Sequence, residues 1–369
     1  MTGWTLKMDE GLLWGDSEAI KLFSMREILE VLNYFIITQI IDYSCFIWMN
    51  GPRTYVRMSI AGRQHAWVGG KYYSTHQRLK KEHLNKNDKD WFEHWIVGMT
   101  DGDGTFCIAR QNGKWSLVYK IPQSFCDLRV LYYIKKQLGY GRVLKHEAKQ
   151  IAHFSISNRK VLSERIFPIF DRYPLLTCKH FSYLRFKEAW RILEDKSFTT
   201  DQKNEEIKRL LSCDILKPSD FISPAIAHLN ETSSHEEIRS TISASWLVGF
   251  TEAKGNFEIC PDGEIFCIGY TLVLESDKLL SQLIKRFLHI PSNVNYNSSK
   301  NVYALKTKNS RAISNLIDLF SSKGRKFKGI KSLEFKLWSK AFYYRNTNIK
   351  KVAKIYKIML RCHKKDNSL

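Results

Sequence analysis

The sequence lacks the cysteine spacing of a metal or redox motif. Its eight cysteines, at positions 45, 107, 126, 178, 213, 260, 267 and 362, never form C-x-x-C and never alternate with histidines at zinc-ligand spacing. That excludes a zinc finger and a disulfide-stapled secreted fold, and reads as buried thiols in a reducing compartment. No apolar run spans a bilayer: the most apolar stretch, residues 34–49, is interrupted by Thr38, Gln39, Asp42 and Ser44. The first ten residues carry acids and show no small-residue cleavage site after an apolar run, so neither a secretory signal nor a transit peptide is expected. Acid is scarce throughout, with 37 Asp and Glu against 58 Lys and Arg, a formal charge of +21. Such a surplus makes a polyanion the natural partner, and nucleic acid leads that class; a ribosomal or merely soluble basic protein is the alternative on charge alone.

What is present is a repeat. The chain of 369 residues, 44% hydrophobic, suits two domains of ordinary size plus an appendage. Residues 95–106 (WIVGMTDGDGTF) recur 151 positions later as 246–257 (WLVGFTEAKGNF), sharing Trp, Val, Gly, Thr, Gly and Phe in place. The likeness continues in order: 118–123 with 272–275, the helical stretches 128–138 and 279–288, then 152–160 with 303–311, and 179–187 with 328–336. Four matched blocks make a duplicated domain.

Periodicity divides each copy into helix, two strands, helix, two strands and helix, an α/β (α+β) pattern. In the first copy strands are expected at 105–110, 115–122, 141–146 and 151–157, and helices at 91–100, 127–138, 159–171 and 179–193. The expected organisation is an N-terminal extension at 1–88, a first repeat at 89–212, a polar, Pro-containing linker at 213–240 and a second repeat at 241–369. Basic residues 51–90 show no sustained period and read as a poorly ordered arm, either a solvated tail or an auxiliary nucleic-acid grip.

Gly98 and Gly249 occupy matching places in the two motif segments. Without side chains they let two helices pack backbone to backbone. Gly102, Asp103 and Gly104 then break the first helix and deliver a carboxylate to the middle of a basic surface. A carboxylate there can hold a divalent cation against a phosphodiester, where the ion acidifies water and offsets charge on the phosphate oxygens. The alternative is that Asp103 only caps a turn.

Residues 96–104, with Gly98, Asp101, Asp103 and Gly104, resemble the signature of the LAGLIDADG homing endonucleases and the group I intron maturases related to them. The resemblance covers about residues 89–345 and implies two pseudo-symmetric αββαββα halves forming a DNA-binding saddle. It implies Asp103 as metal ligand, the Gly102 carbonyl as its helper and Mg2+ as the ion. It further places Gln123 and Lys179 near the metal-bound water in the first half, and Lys328, matched to Lys179, in the second. The second motif departs from the pattern: Lys254 stands where the second acid belongs, and Glu275 where the partner of Gln123 belongs. Glu252 and Glu258 flank the place without occupying it. Ammonium groups do not ligate Mg2+.

Strand alternation points Phe106, Ile108, Phe154, Phe257, Ile259 and Leu305 inward. Thr105, Cys107, His153, Ser155, Ser157, Lys306 and Lys308 then face outward as candidate base and phosphate readers, the alternative being a solvated polar face. Three functions fit: an intron-encoded, Mg2+-dependent DNA endonuclease acting as a monomer on a long asymmetric duplex, reduced to nicking; a maturase holding its own group I intron RNA; and a DNA-binding regulator that keeps only the saddle. None involves a membrane. An intron origin implies a mitochondrion, with a plastid as the alternative.

Overall fold

A computed structural model describes residues 75–212, 221–322 and 326–367; the stretch at 34–49 and most of the 1–88 extension lie outside the described residues. The first half runs α1 (Thr75–Asp103), β1 (Thr105–Gln111), β2 (Lys114–Ser124), α2 (Leu128–Leu138), β3 (Arg142–His146), β4 (Ile151–Ile156), α3 (159–172), α4 (Lys179–Glu194) and α5 (Thr200–Ser212). After α6 (His235–Thr241), the second runs α7 (Ala244–Lys254), β5 (Gly255–Asp262), β6 (Ile265–Glu275), α8 (Lys278–Phe287), β7 (Val294–Asn297), β8 (Val302–Thr307), α9 (Ser310–Ser321), α10 (Lys331–Tyr344) and α11 (Ile349–Asn367). Each half holds one antiparallel four-stranded sheet, ordered β1-β2-β4-β3 and β5-β6-β8-β7. No described helix is long and apolar enough to cross a membrane.

Local chemistry explains the breaks. Gln111 pairs with Lys114 across a two-residue loop in which Asn112 and Gly113 take φ of 49° and 75°, as the twist-matched hairpin turn requires. Asn158 and Asn309 open α3 and α9 alike, each side-chain oxygen accepting the N–H three residues on, from Val161 and Ala312, at 3.1 Å. Pro168 has no N–H to donate, and the wider turn at Leu162–Ile166 sits just before it within α3.

The halves meet along α1 and α7. A Cβ added at Gly98 would overlap the Trp246 carbonyl, and one at Gly249 would overlap the Trp95 carbonyl. Each glycine therefore faces the other helix's tryptophan backbone. Thr100 bonds Tyr119 at 2.6 Å and Thr251 bonds Tyr270 at 3.0 Å, so each motif helix is tied to its own second strand in the same way. Phe154, Phe257, Ile259 and Leu305 are buried as expected, while Phe106 and Ile108 are partly buried against the same core.

Four expectations are corrected. Helix α1 begins at Thr75, inside the segment read as an aperiodic arm: residues 75–90 are polar, mostly good helix formers with no apolar stripe to reveal them. The linker is partly built into the core, with Ile226 and Leu229 buried and α6 opened by a reciprocal Ser234–Glu237 cap. Of the six described cysteines none is buried and Cys126 and Cys260 are exposed, because Cys107, Cys260 and Cys267 lie on the outer face of the strands. The last helices align at an offset of 152, not 149: Tyr183 and Phe186 of α4 touch Phe106, as Phe335 and Trp338 of α10 touch Phe257.

Candidate active centre and nucleic-acid interface

The ends of α1 and α7 lie side by side. A Cβ at Gly102 would overlap the Ala253 methyl group, so these turns pack as closely as the helices do at Gly98 and Gly249, here backbone against a small side chain. The first turn delivers Asp103, the second Lys254. Gln123 at the end of β2 donates to Asp103 Oδ2 at 2.7 Å, and Lys254 Nζ lies 3.4 Å from Asp103 Oδ1 and 3.1 Å from Glu275 Oε1. Lys179, the first residue of α4, donates to the carbonyls of Gly102 at 2.5 Å and Thr100 at 3.4 Å. Asp103, Gly102, Gln123, Lys179, Lys254 and Glu275 are therefore one cluster, as the sequence suggested.

Burial raises the Asp103 carboxyl above the ordinary carboxylate range, against the pull of Lys254, Lys179 and Gln123. Burial also lowers Lys179, and repulsion from Lys254 adds to it. Burial works against the charge on Lys254 too, but Asp103 and Glu275 outweigh it and hold this ammonium above its usual value.

Among the described residues the second half brings together no matching set. Lys328 does not correspond to Lys179: its ammonium lies 4.3 Å from the Trp91 ring centre and 4.8 Å from that of Tyr133. The residue opening α10 is Lys331, bound to the buried Glu334 at 2.8 Å. Glu252, which flanks the seam in sequence, accepts the N–H groups of Lys328 and Gly329 at 2.6–2.9 Å. It is the counterpart of buried Asp101, which accepts from Leu176 N, Thr177 N, Thr177 Oγ1 and Trp246 Nε1 at 2.6–3.0 Å.

These carboxylates hold the segments that lead into α4 and α10, whose first residues are Lys179 and Lys331, a function that the sequence did not reveal. A second set crosses between halves: Asp127 accepts from Ile330 N at 2.8 Å, and Asp277 faces the Cys178 N–H. Burial pushes both Glu252 and Asp277 up to about 7. The one available signal was the recurrence of an acid two residues before Asp103 and Lys254, at Asp101 and Glu252.

On the sheets, Thr105, Lys120, Ser155 and Arg142 form one row across the first half by strand register. Lys120 and Arg142 were missed because they become neighbours of Thr105 only through that pairing. His153 stacks on His146 with ring centres 5.0 Å apart. Ser157 follows β4 and Lys308 follows β8, both exposed, whereas Lys306 pairs with Glu258 at 3.2 Å. Glu258 is thus engaged on the sheet and not at the seam.

The seam presents hard oxygen donors of the kind a divalent ion takes: the Asp103 carboxylate, the Gly102 carbonyl and the Glu275 carboxylate. Among the described residues no three His, Cys, Asp or Glu side chains gather as a cage, so an ion there draws on backbone, water and phosphate oxygens as well. The oxygens fit such an ion, and each is already engaged by a protein N–H donor.

A family model for LAGLIDADG endonuclease matches residues 96–190 and 247–342. A probable intron-encoded endonuclease of Schizosaccharomyces pombe is 33% identical over 261 residues, 68% of this chain and 64% of that protein. An uncharacterized mitochondrial protein of Saccharomyces cerevisiae is 27% identical, over 54% of this chain and 39% of its own length. The chain thus spans less than two thirds of these relatives. Among solved structures, I-SmaMI bound to an uncleaved DNA target with calcium ions superposes with a TM-score of 0.60 at 21% identity, over 72% of this chain and 97% of that one. The shared fold is the two-halved architecture described above.

Proposed function

Because this chain belongs to the LAGLIDADG endonuclease family, we propose that it is an intron-encoded, site-specific DNA endonuclease with one working centre, which nicks a single strand of a long asymmetric duplex. The observation that carries this reading is the charge at the seam, Asp103 on one side and Lys254 on the other. Two unlike sheets suit two unlike half-sites, and one chain holds both, so the protein acts as a monomer; the likeness to a mitochondrial protein of Saccharomyces cerevisiae supports the mitochondrion as its location.

Asp103 and the Gly102 carbonyl would hold the divalent cation, taken to be Mg2+, which when bound acidifies water and offsets charge on the phosphate oxygens. Gln123 orients the Asp103 carboxylate through its 2.7 Å bond. Lys179, whose proton is loosened by burial, holds its ammonium on the Gly102 carbonyl, where it can turn toward a phosphate oxygen or an incoming water. Lys254 neutralises Asp103 in place of a second acid, leaving the opposite strand without a carboxylate at the position that matches Asp103.

The test is a supercoiled plasmid carrying the intron-free junction, incubated with Mg2+ and scored for nicked and linear products. Nicked circles are expected. Asp103→Asn should lower nicking at least ~100-fold with binding nearly unchanged, since a neutral isostere cannot hold the cation. Lys254→Asp should raise cleavage. Linear product formed as fast as nicked circles would overturn the single-centre reading. If neither the wild type nor Lys254→Asp cuts, yet both bind the intron RNA and promote splicing, the maturase reading replaces this one.

A further inference from the structure

We propose that Lys254 is a resident counter-ion for Asp103 which keeps a divalent cation out of the DNA-free protein, so that metal loads only once a phosphate has drawn the ammonium aside. This rests on the endonuclease reading and concerns the regulation of that same centre.

Three features carry it. The first is occupancy: Gln123 donates to Asp103 Oδ2, Lys254 lies against Oδ1, and Lys179 donates to the Gly102 carbonyl. Each of these three oxygens already faces an N–H donor, and an ion entering beside Oδ1 would stand within a few ångströms of a like charge. The second is the tether. Lys254 is the last residue of α7, and a Cβ at Gly102 would stand 3.3 Å from its Cγ, so its stem packs in the seam. The third is a place to go. Glu275 holds the same ammonium at 3.1 Å and its side chain is 61% exposed, so Lys254 can release Asp103 and stay paired on the solvent side.

A phosphate at the seam favours that exchange twice, by attracting the ammonium and by adding oxygens and negative charge for the ion. Metal affinity and DNA binding then become linked, each strengthening the other by the same factor. Lys254 is a positioning residue in this scheme: it decides when Asp103 is available and touches no reacting atom in the free protein.

The experiment is a calorimetric titration of Ca2+ into the full chain without DNA, comparing wild type, Lys254→Met, Lys254→Arg and Lys254→Met with Asp103→Asn. Lys254→Met should bind Ca2+ at least tenfold more tightly than wild type. Lys254→Arg, which keeps the cation, should match wild type, and Asp103→Asn should remove the gain. Thermal unfolding of each variant verifies its fold, and Lys254→Gln, which also removes the cation and carries the same expected gain, takes the place of Lys254→Met if methionine is not tolerated. The proposal fails if wild type binds as tightly as Lys254→Met, if Lys254→Arg shows the same gain, or if the gain survives Asp103→Asn. No DNA is cut in this titration, so the two readings separate. A tenfold gain in a protein that never nicks keeps the counter-ion and sinks the endonuclease; nicking without the gain does the reverse.

Discussion

The two halves share a frame and differ at its working end. Thr100 and Thr251, Asn158 and Asn309, Gly98 and Gly249, and Asp101 and Glu252 do the same jobs in the same places. At the seam the pairs part: Asp103 against Lys254, Gln123 against Glu275, and Lys179, whose ammonium reaches Gly102, against Lys331, whose ammonium is held by Glu334. Their outer helices differ as well. On α5, Lys208 and Arg209 pair with Glu205 and Glu206, whereas the exposed Lys350, Lys354, Lys357 and Arg361 of α11 enter no ion pair among the described residues. The lesson is that the pieces which position the seam are also pieces of the fold, so the halves can differ at their tips and still brace each other.

If the frame is shared, the largest effect should be equal on both sides. Gly98→Val and Gly249→Val each force a side chain into a backbone carbonyl, and each should cost more than about 4 kcal/mol, enough to abolish folding. Soluble yield and urea unfolding measure this; one variant folding normally would break the symmetry. The two lysines should then split. Lys331→Ala leaves Glu334 buried without its cation and should lose about 3 kcal/mol of stability with little change in nicking. Lys179→Ala should lower nicking at least about tenfold with a smaller stability loss. Equal effects on nicking would mean a second centre survives.

Acidity sharpens the frame comparison. The Glu252 carboxyl is pushed up to about 7 from an ordinary 4.5, chiefly by burial. Between those values the folded chain keeps a proton that the unfolded chain has released, so stability falls as pH rises from about 4.5 through 7. One carboxyl raised this far accounts for roughly 3 kcal/mol across that window. Glu252→Gln should flatten that part of the slope, and Asp101→Asn should flatten it too, because burial raises Asp101 in the same direction. Urea midpoints between pH 5 and 8 follow the change, and a slope untouched by both variants would remove the shared-clamp interpretation. The smallest expected effect is on the sheet. Lys308→Ala should reduce the salt slope of DNA affinity by about 1, and Lys306→Ala by less, since Glu258 already offsets its charge.

The duplication was legible because it is written in local residues: twelve-residue matches, glycines where helices touch, and alternation that placed Phe154 and Leu305 inside. The register of the last helix was not. Aligning Lys179 with Lys328 rather than Lys331 slips the helix by three residues, nearly one turn of 3.6, so apolar positions still fall on one face and periodicity cannot object. The cross-half ties were equally silent, since Asp127 and Ile330 stand 203 residues apart and neither carries a mark of its partner. At the seam the residue types were readable, but not that Lys254 bridges Asp103 and Glu275, which depends on two strands and two helix ends converging.

The contact at Gly98 and Gly249 bears on how such a molecule can drift. An interface made from interlocking side chains constrains its two surfaces to change in step, and each substitution on one must be answered on the other. Here the closest approach at Gly98 and Gly249 is made to peptide carbonyls, which every amino acid carries, and the seam asks that these two positions and Gly102 stay bare. Selection can therefore rewrite one half, including the acid at its tip, while the hinge line between the copies remains as serviceable as on the day the segment was doubled.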